Sequence, residues 1–286
     1  MAGVWKNRKI LLFIPIFAAV STFFLANVNW QAISDGRKAR EYQPTDEIIS
    51  IVDELKLTEK GKTIFYAANP QLKTAAQISN YCDSTVSHYS LGCYYRGDNE
   101  RIFLHDIEAN NINENGLTYD FRASRNETAL HELLHAVYDR LDASKQSKVC
   151  GSLNVIGDAR LNDKLAVYSD EQRCTEAFAR VGSEFIDLAT DDLRSIYEDY
   201  FAIDDAFYAS NRQNSQGLID YSAKISNLAT ALKAKRQIVD EMRSDYASAP
   251  TWQKMNQTNA AIDEYNLLLK DYHSCVETYN KVVASI

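Results

Sequence analysis

From Leu218 to Ile286, apolar residues recur at alternating steps of three and four, and that rhythm is broken once, at Pro250. The first stretch carries Leu218, Tyr221, Ile225, Leu228, Leu232, Val239, Met242 and Tyr246, with Lys235 in its one polar slot. The second carries Met255, Ile262, Tyr265, Leu269, Tyr272, Val276, Tyr279, Val283 and Ile286. A heptad rhythm lays one apolar seam along a helix, and a proline interrupts the helix carrying it. Residues 211–286 are therefore expected to fold back as an antiparallel coiled-coil hairpin. Such a hairpin serves either as a prop against the rest of the chain or a second copy, or as an arm for a protein partner.

The opposite end is equally distinctive. Lys6, Arg8 and Lys9 precede an uncharged run, Ile10–Val28, bracketed by Trp5 and Trp30. A bilayer core needs roughly 20 apolar residues, and basic flanks stay in the cytoplasm. Residues 1–30 are thus expected to be a single-pass anchor in the cell membrane, with the rest of the chain extracytoplasmic. A cleaved signal peptide is the alternative, although its apolar core is usually shorter and no A-x-A site follows.

The cysteines suit an oxidising location. There are five, with no C-x-x-C pair. The expected disulfides are Cys82–Cys93 and Cys150–Cys174, leaving Cys275. The net charge of -8 and the absence of a basic cluster after the N-terminus argue against a nucleic-acid partner.

Between these ends the pattern is α+β and predominantly helical. Thr45 is placed to cap a helix ending near Leu55. Thr63–Tyr66 reads as a short strand stopped by Pro70, and the segment after Pro70 as a helix. "LGCYYRGDNERIFLHDI" reads as a β-hairpin turning at Gly97-Asp98-Asn99. Leu117, Tyr119 and Phe121 alternate as in one more strand. Ser124 and Glu127 form an S-x-x-E capping box for a helix running to about Leu141. Further helices follow to residue 205.

That capped helix carries "HELLH", His131 to His135. Residues four apart share one helix face, with Cβ atoms about 5–6 Å apart. Two imidazoles so placed can grip one zinc ion at roughly 2.0–2.1 Å each. Glu132, next to the first histidine, then reaches a water at the metal rather than the metal itself. It is the expected general base, and later the proton donor to the leaving amine. A third protein ligand must come from elsewhere. "AVYDRLDAS" after His135 lacks the Gly and third His of metzincins.

A later segment, "CTEAFARVGSE", offers Glu176 followed three residues on by Ala179. Together with His131-Glu132-His135 it resembles the gluzincin zinc metallopeptidases, over roughly residues 45–205. The resemblance implies zinc held by His131, His135 and Glu176, with Glu184 as the alternative acid. It implies a small antiparallel sheet over the active-site helix, whose edge strand pairs with extended substrate; Arg101–Ile107 is the candidate. It also implies a Tyr or His stabilising the oxyanion, a place that Tyr197 or Tyr200 fits, although core packing accounts for either. His105 reads as a surface histidine. One departure matters: Arg180 stands where many gluzincins have the Asp that braces a histidine.

The resulting expectation is an anchor (1–30), a zincin-like metallopeptidase domain (31–210) and a helical hairpin (211–286). The substrate is a peptide or protein, cell-wall peptides included. The rival expectation is a non-catalytic, zinc-stabilised, membrane-tethered coiled-coil scaffold or adhesion protein.

Overall fold

The computed structural model describes residues 30–82, 91–97, 99–107 and 111–285. The apolar run Ile10–Val28, and the anchor expected there, lie outside them. Among the described residues no helix is long and apolar enough to cross a membrane.

The described chain is mostly helical with a small sheet. It opens with α1 (Trp30–Glu41), α2 (Asp46–Glu54) and α3 (Glu59–Ala67). Thr45 caps α2 as expected, accepting from the Ile48 N–H. Helix α3 replaces the strand expected at Thr63–Tyr66. The Thr58 hydroxyl caps it by accepting from the Gly61 N–H at 3.1 Å. Gly61 also lets it lie against the backbone of Tyr200, whose carbonyl oxygen would be 2.0 Å from any added Cβ. Ile64 and Phe65 are then buried on one face, and that burial outweighs the local β preference of Thr, Ile, Phe and Tyr.

The segment after Pro70, read from sequence as one helix, splits into β1 (Gln71–Lys73) and α4 (Ala75–Tyr81). Strands β2 (Gly92–Tyr95) and β3 (Arg101–His105) form the expected antiparallel hairpin, with Cys93 opposite Phe103. Asp98, in the expected turn, lies outside the described residues. Strand β1 joins β3 in parallel, giving the order β1-β3-β2. The Arg101–Ile107 segment is therefore not the edge, because β1 covers the other side of β3. The edge beside the helix that carries His131 and His135 is β2. His105 is not at the surface: it lies opposite Lys73, is 8% exposed, and burial lowers its pKa.

Strands β4 (Ile112–Glu114) and β5 (Leu117–Tyr119) make a second hairpin. Its two-residue loop is Asn115-Gly116, with φ of 54° and 85°. Positive φ at both positions is what a type I′ turn requires, and Asn-Gly supplies it cheaply.

Helix α5 (Phe121–Arg140) carries the histidines. Its cap is Asp120, whose carboxylate accepts from the Arg122 and Ala123 N–H groups at 3.0 and 3.1 Å. The expected Ser124/Glu127 box is not formed, because Ser124 already lies within the first turn, its N–H donating to the Asp120 carbonyl. Burial of Phe121 draws the helix start upstream. The chain continues through α6 (Ala143–Asn154), α7 (Ala159–Leu165), α8 (Asp170–Ser183), a 3-10 turn (Ile186–Leu188) and α9 (Asp191–Glu198).

Helices α10 (Asp205–Ser248) and α11 (Trp252–Ser285) form the C-terminal hairpin. They run antiparallel: Lys254 bonds Asp245, Thr258 bonds the Met242 carbonyl, and Lys235 pairs with Glu264. Lys235, the odd residue in the heptad rhythm, thus has a charged partner across the hairpin.

Two cores result. The larger joins α2, α3, β3, α5, α8 and α9. The smaller packs Leu117, Tyr119 and Phe121 against Tyr221, Cys275 and Val282, docking the open end of the hairpin onto β4 and β5. The first turns of α10 serve the larger core, because Tyr208 is buried there and its hydroxyl donates to the Gly182 carbonyl at 2.6 Å.

Candidate metal centre

His131 and His135 stand one turn apart on α5, and Glu176 faces them from the middle of α8. The two Nε2 atoms are 3.1 Å apart. Glu176 straddles them, with Oε1 3.6 Å from His131 Nε2 and Oε2 3.4 Å from His135 Nε2. Two ligands held at 2.0–2.1 Å on a tetrahedral ion are about 3.3 Å from each other. The two ring nitrogens stand at about that spacing, and one ligand atom from each of the three residues lies within 4.8 Å of the others, a group that could hold a metal ion.

The close approach of α8 to α5 depends on small residues. Ala179 is fully buried, and a Cβ on Gly182 would meet Leu134 Cδ1 at 2.5 Å. The Cys150–Cys174 disulfide ties α6 to α8 two residues before Glu176. The other expected disulfide, Cys82–Cys93, fixes β2 beside the cleft. Gly92 lets β2 approach α5, since a Cβ there would lie 2.8 Å from Thr128 Cγ2 and 2.6 Å from the Phe103 carbonyl oxygen.

The far nitrogens of both rings have hydroxyl partners. His135 Nδ1 is 3.0 Å from Thr175 Oγ1, and His131 Nδ1 is 3.4 Å from Ser183 Oγ. A hydroxyl accepting from Nδ1–H leaves Nε2 with its lone pair exposed, the tautomer a metal needs. Hydroxyls from α8 thus stand where gluzincins commonly use a carboxylate. No motif in the sequence flags Thr175 or Ser183; only the packing of α8 on α5 brings them to the rings.

Arg180 has a different task. Its Nη1 bonds Glu184 Oε1 at 2.5 Å, and its Nε lies 2.7 Å from Glu176 Oε1 without hydrogen-bond alignment. Glu184 is therefore engaged by Arg180 rather than facing the histidines. Glu176 Oε1 is buried with no hydrogen-bond partner among the described residues. A buried carboxylate ion-paired to Arg180, beside two imidazole nitrogens that face each other, is a donor set that could hold a divalent cation.

The electrostatics agree. Burial opposes charge on Glu176, but the two facing imidazoles outweigh it and hold the carboxyl well below its usual range. Burial likewise disfavours a charged His131, yet Glu176 raises its pKa. The pocket therefore favours positive charge between these groups, as a proton or as a metal ion that replaces it. Glu132 is 6% exposed; burial raises its pKa, while His131 and His135 pull the other way. The Tyr94 backbone on β2 also pulls it down.

These groups lie in one cleft of about 1000 Å³, walled by β2, α5, α7 and α8. Tyr197 and Tyr200 are not in it. Tyr197 is fully buried with its hydroxyl donating to the Phe178 carbonyl, and Tyr200 is packed in the core. The cleft's own tyrosines are Tyr94, Tyr138 and Tyr168. Tyr168 accepts from Arg180 Nη2 at 3.4 Å, which puts its hydroxyl beside Glu176, and no sequence pattern marks it. The chain matches no protein-family model, no curated protein sequence and no solved structure.

Proposed function

We propose that the chain is a gluzincin-like zinc metallopeptidase, tethered to the cell membrane by Ile10–Val28 with its cleft outside. The observation that carries this reading is a His131–His135–Glu176 group whose ligand atoms lie within 4.8 Å of one another, next to buried Glu132, in an open cleft. Two disulfides favour the extracytoplasmic side. Trp30 and Ile33, 61% and 56% exposed at the start of α1, suit a helix leaving a lipid surface.

Zinc, when bound, polarises the scissile carbonyl and acidifies water. The remaining steps belong to the protein's own residues. Strand β2 offers its edge to an extended substrate segment by strand addition. Glu132 takes the proton of the attacking water and returns it to the leaving nitrogen. Its raised pKa suits a group that must hold and release a proton. Tyr168 is the hydroxyl best placed to donate to the developing oxyanion, with Arg180 polarising it. The hairpin α10–α11 packs as a two-helix coiled coil and braces β4, β5 and the start of α5.

The exposed Trp252 and Leu267 on that hairpin favour the second reading, a zinc-stabilised scaffold whose hairpin binds a protein partner. One experiment separates the two. Full-length wild type and Glu132→Gln are assayed for zinc by atomic emission and for cleavage of a peptide library. The peptidase reading expects one zinc in both and a loss of cleavage of at least a thousandfold in the variant. Equal cleavage by the two proteins, or zinc content unchanged by His135→Ala, overturns it. Zinc without any cleavage by wild type leaves the scaffold.

A further inference from the structure

We infer that the end of the cleft at Glu127 selects a basic side chain, lysine or arginine, in the substrate peptide. This names a substrate class for the site just described, and it rests on the peptidase reading.

Glu127 was expected to cap its helix, but Asp120 holds that place, which frees Glu127 to line the cleft. It sits one turn before His131, on the same face as His135 and Tyr138. From Glu127 to Tyr138 that face covers roughly 16 Å at 1.5 Å per residue. An extended peptide at about 3.3 Å per residue lays about five residues along it. The carboxyl of Glu127 then meets a side chain about three residues from the bond being cut.

The chemistry at that end is incomplete. Glu127 has no ion pair or hydrogen bond among the described residues. The charged and titratable groups around it are Glu184, Arg180, Lys164, His131 and Tyr208. Arg180 is already committed to Glu176 and Glu184. Lys164, on α7, is exposed and forms no ion pair among the described residues. Burial first, and then the Glu184 charge, push the Glu127 carboxyl up to about 8. Near neutral pH that carboxyl is therefore mostly protonated, lining the cleft without an ion pair. An ammonium or guanidinium from a substrate favours its charged form and pairs with it; an uncharged side chain does not.

The test uses the full chain in detergent, with zinc supplied, and one peptide series differing at a single position: Lys, Arg, Gln, Leu or Glu. At one position, kcat/KM should favour Lys and Arg over Gln by at least tenfold. Glu127→Gln should bring that ratio to within twofold, and Glu127→Lys should turn the preference towards Glu. Lys164→Gln should strengthen the basic preference. Wild type with no basic preference at any position overturns the proposal, as does a preference that survives in Glu127→Gln.

Binding of labelled Lys and Gln peptides to Glu132→Gln, read by fluorescence anisotropy, separates the two levels. Tenfold tighter binding of the Lys peptide, lost on adding Glu127→Gln, supports the cation site even if wild type cleaves nothing. Cleavage with no basic preference leaves the peptidase reading and removes this one.

Discussion

Helix α5 carries two buried clusters of acids and bases, and they are finished to different degrees. At its C-terminal end, Arg140 Nε and Nη2 grip both oxygens of Asp35 at 2.8 and 2.9 Å. The same Nη2 bonds Glu100 Oε1 at 2.8 Å, and Nη1 donates to the Ala136 carbonyl. Lys38 and the Tyr94 hydroxyl complete Glu100. Five residues back from Arg140, His135 belongs to the other cluster. There the ring Nε2 atoms face each other, and Glu176 Oε1 lies 2.7 Å from Arg180 Nε with no hydrogen-bond partner among the described residues. The first cluster is saturated by the protein alone and joins α1, the β2–β3 hairpin and α5. The second joins α5 and α8 and is a group that could hold a cation.

The sharpest way to break this contrast is Arg140→Met. It leaves Asp35, 3% exposed, and Glu100 buried without their main partner. The expected cost is about 3–5 kcal/mol in urea unfolding, independent of zinc. Acid should narrow the difference. Burial works to raise the Glu100 pKa, but Arg140 outweighs it and lowers it. Its stabilisation is therefore present above the unfolded glutamate value of about 4.3 and lost as pH falls through the lower folded value. Wild type should lose stability over that range, and the variant should lose less.

Zinc probes the second cluster. With free zinc at about a hundred times its Kd, the wild-type unfolding free energy should rise by about 2.7 kcal/mol, and a chelator should reverse this. His135→Ala should abolish the rise, while Arg140→Met should keep it if it still folds. A smaller effect is expected from Thr175→Val, which removes the hydroxyl behind His135. Zinc affinity, measured by competition with a chromogenic chelator, should fall roughly 10–100-fold. Ser183→Ala should cost less than Thr175→Val, given the longer 3.4 Å contact to His131. The smallest change is Lys60→Gln. The Lys60–Asp199 pair spans 2.7 Å, but both side chains are more than half exposed. Its loss should shift stability by less than about 1 kcal/mol, and less still in high salt.

How much of this was legible beforehand divides by the range of the interaction. The i, i+4 histidines, the helical hairpin broken at Pro250 and the Thr45 cap follow from local spacing, and the two cysteine pairs expected from the sequence are the ones formed. The Thr63–Tyr66 segment does not, because Gly61 packs on Tyr200, more than a hundred residues away, and sets a helix there. Asn115-Gly116 was a local signal for the β4–β5 hairpin, and the strand alternation alone reveals only half of it. The Ser124/Glu127 box fails for a long-range reason, the burial of Phe121 against the C-terminal hairpin. That displacement also turns Glu127 from a capping residue into part of the cleft wall.

By itself the sequence determined the helical periodicity and the pairing of His131 with His135, since each depends on residues close along the chain; it suggested the two disulfides, which the packing of α6 on α8 and of β2 beside α4 brings about. The tertiary structure alone decided which strand is the edge. It decided that Glu176 rather than Glu184 faces the rings, and that Thr175 and Ser183 stand behind them. It also closed Arg140 with Asp35 and Glu100. Each of these depends on how α8, β1 and α1 pack against a helix distant in sequence, and spacing along a chain does not encode the distance between two faces.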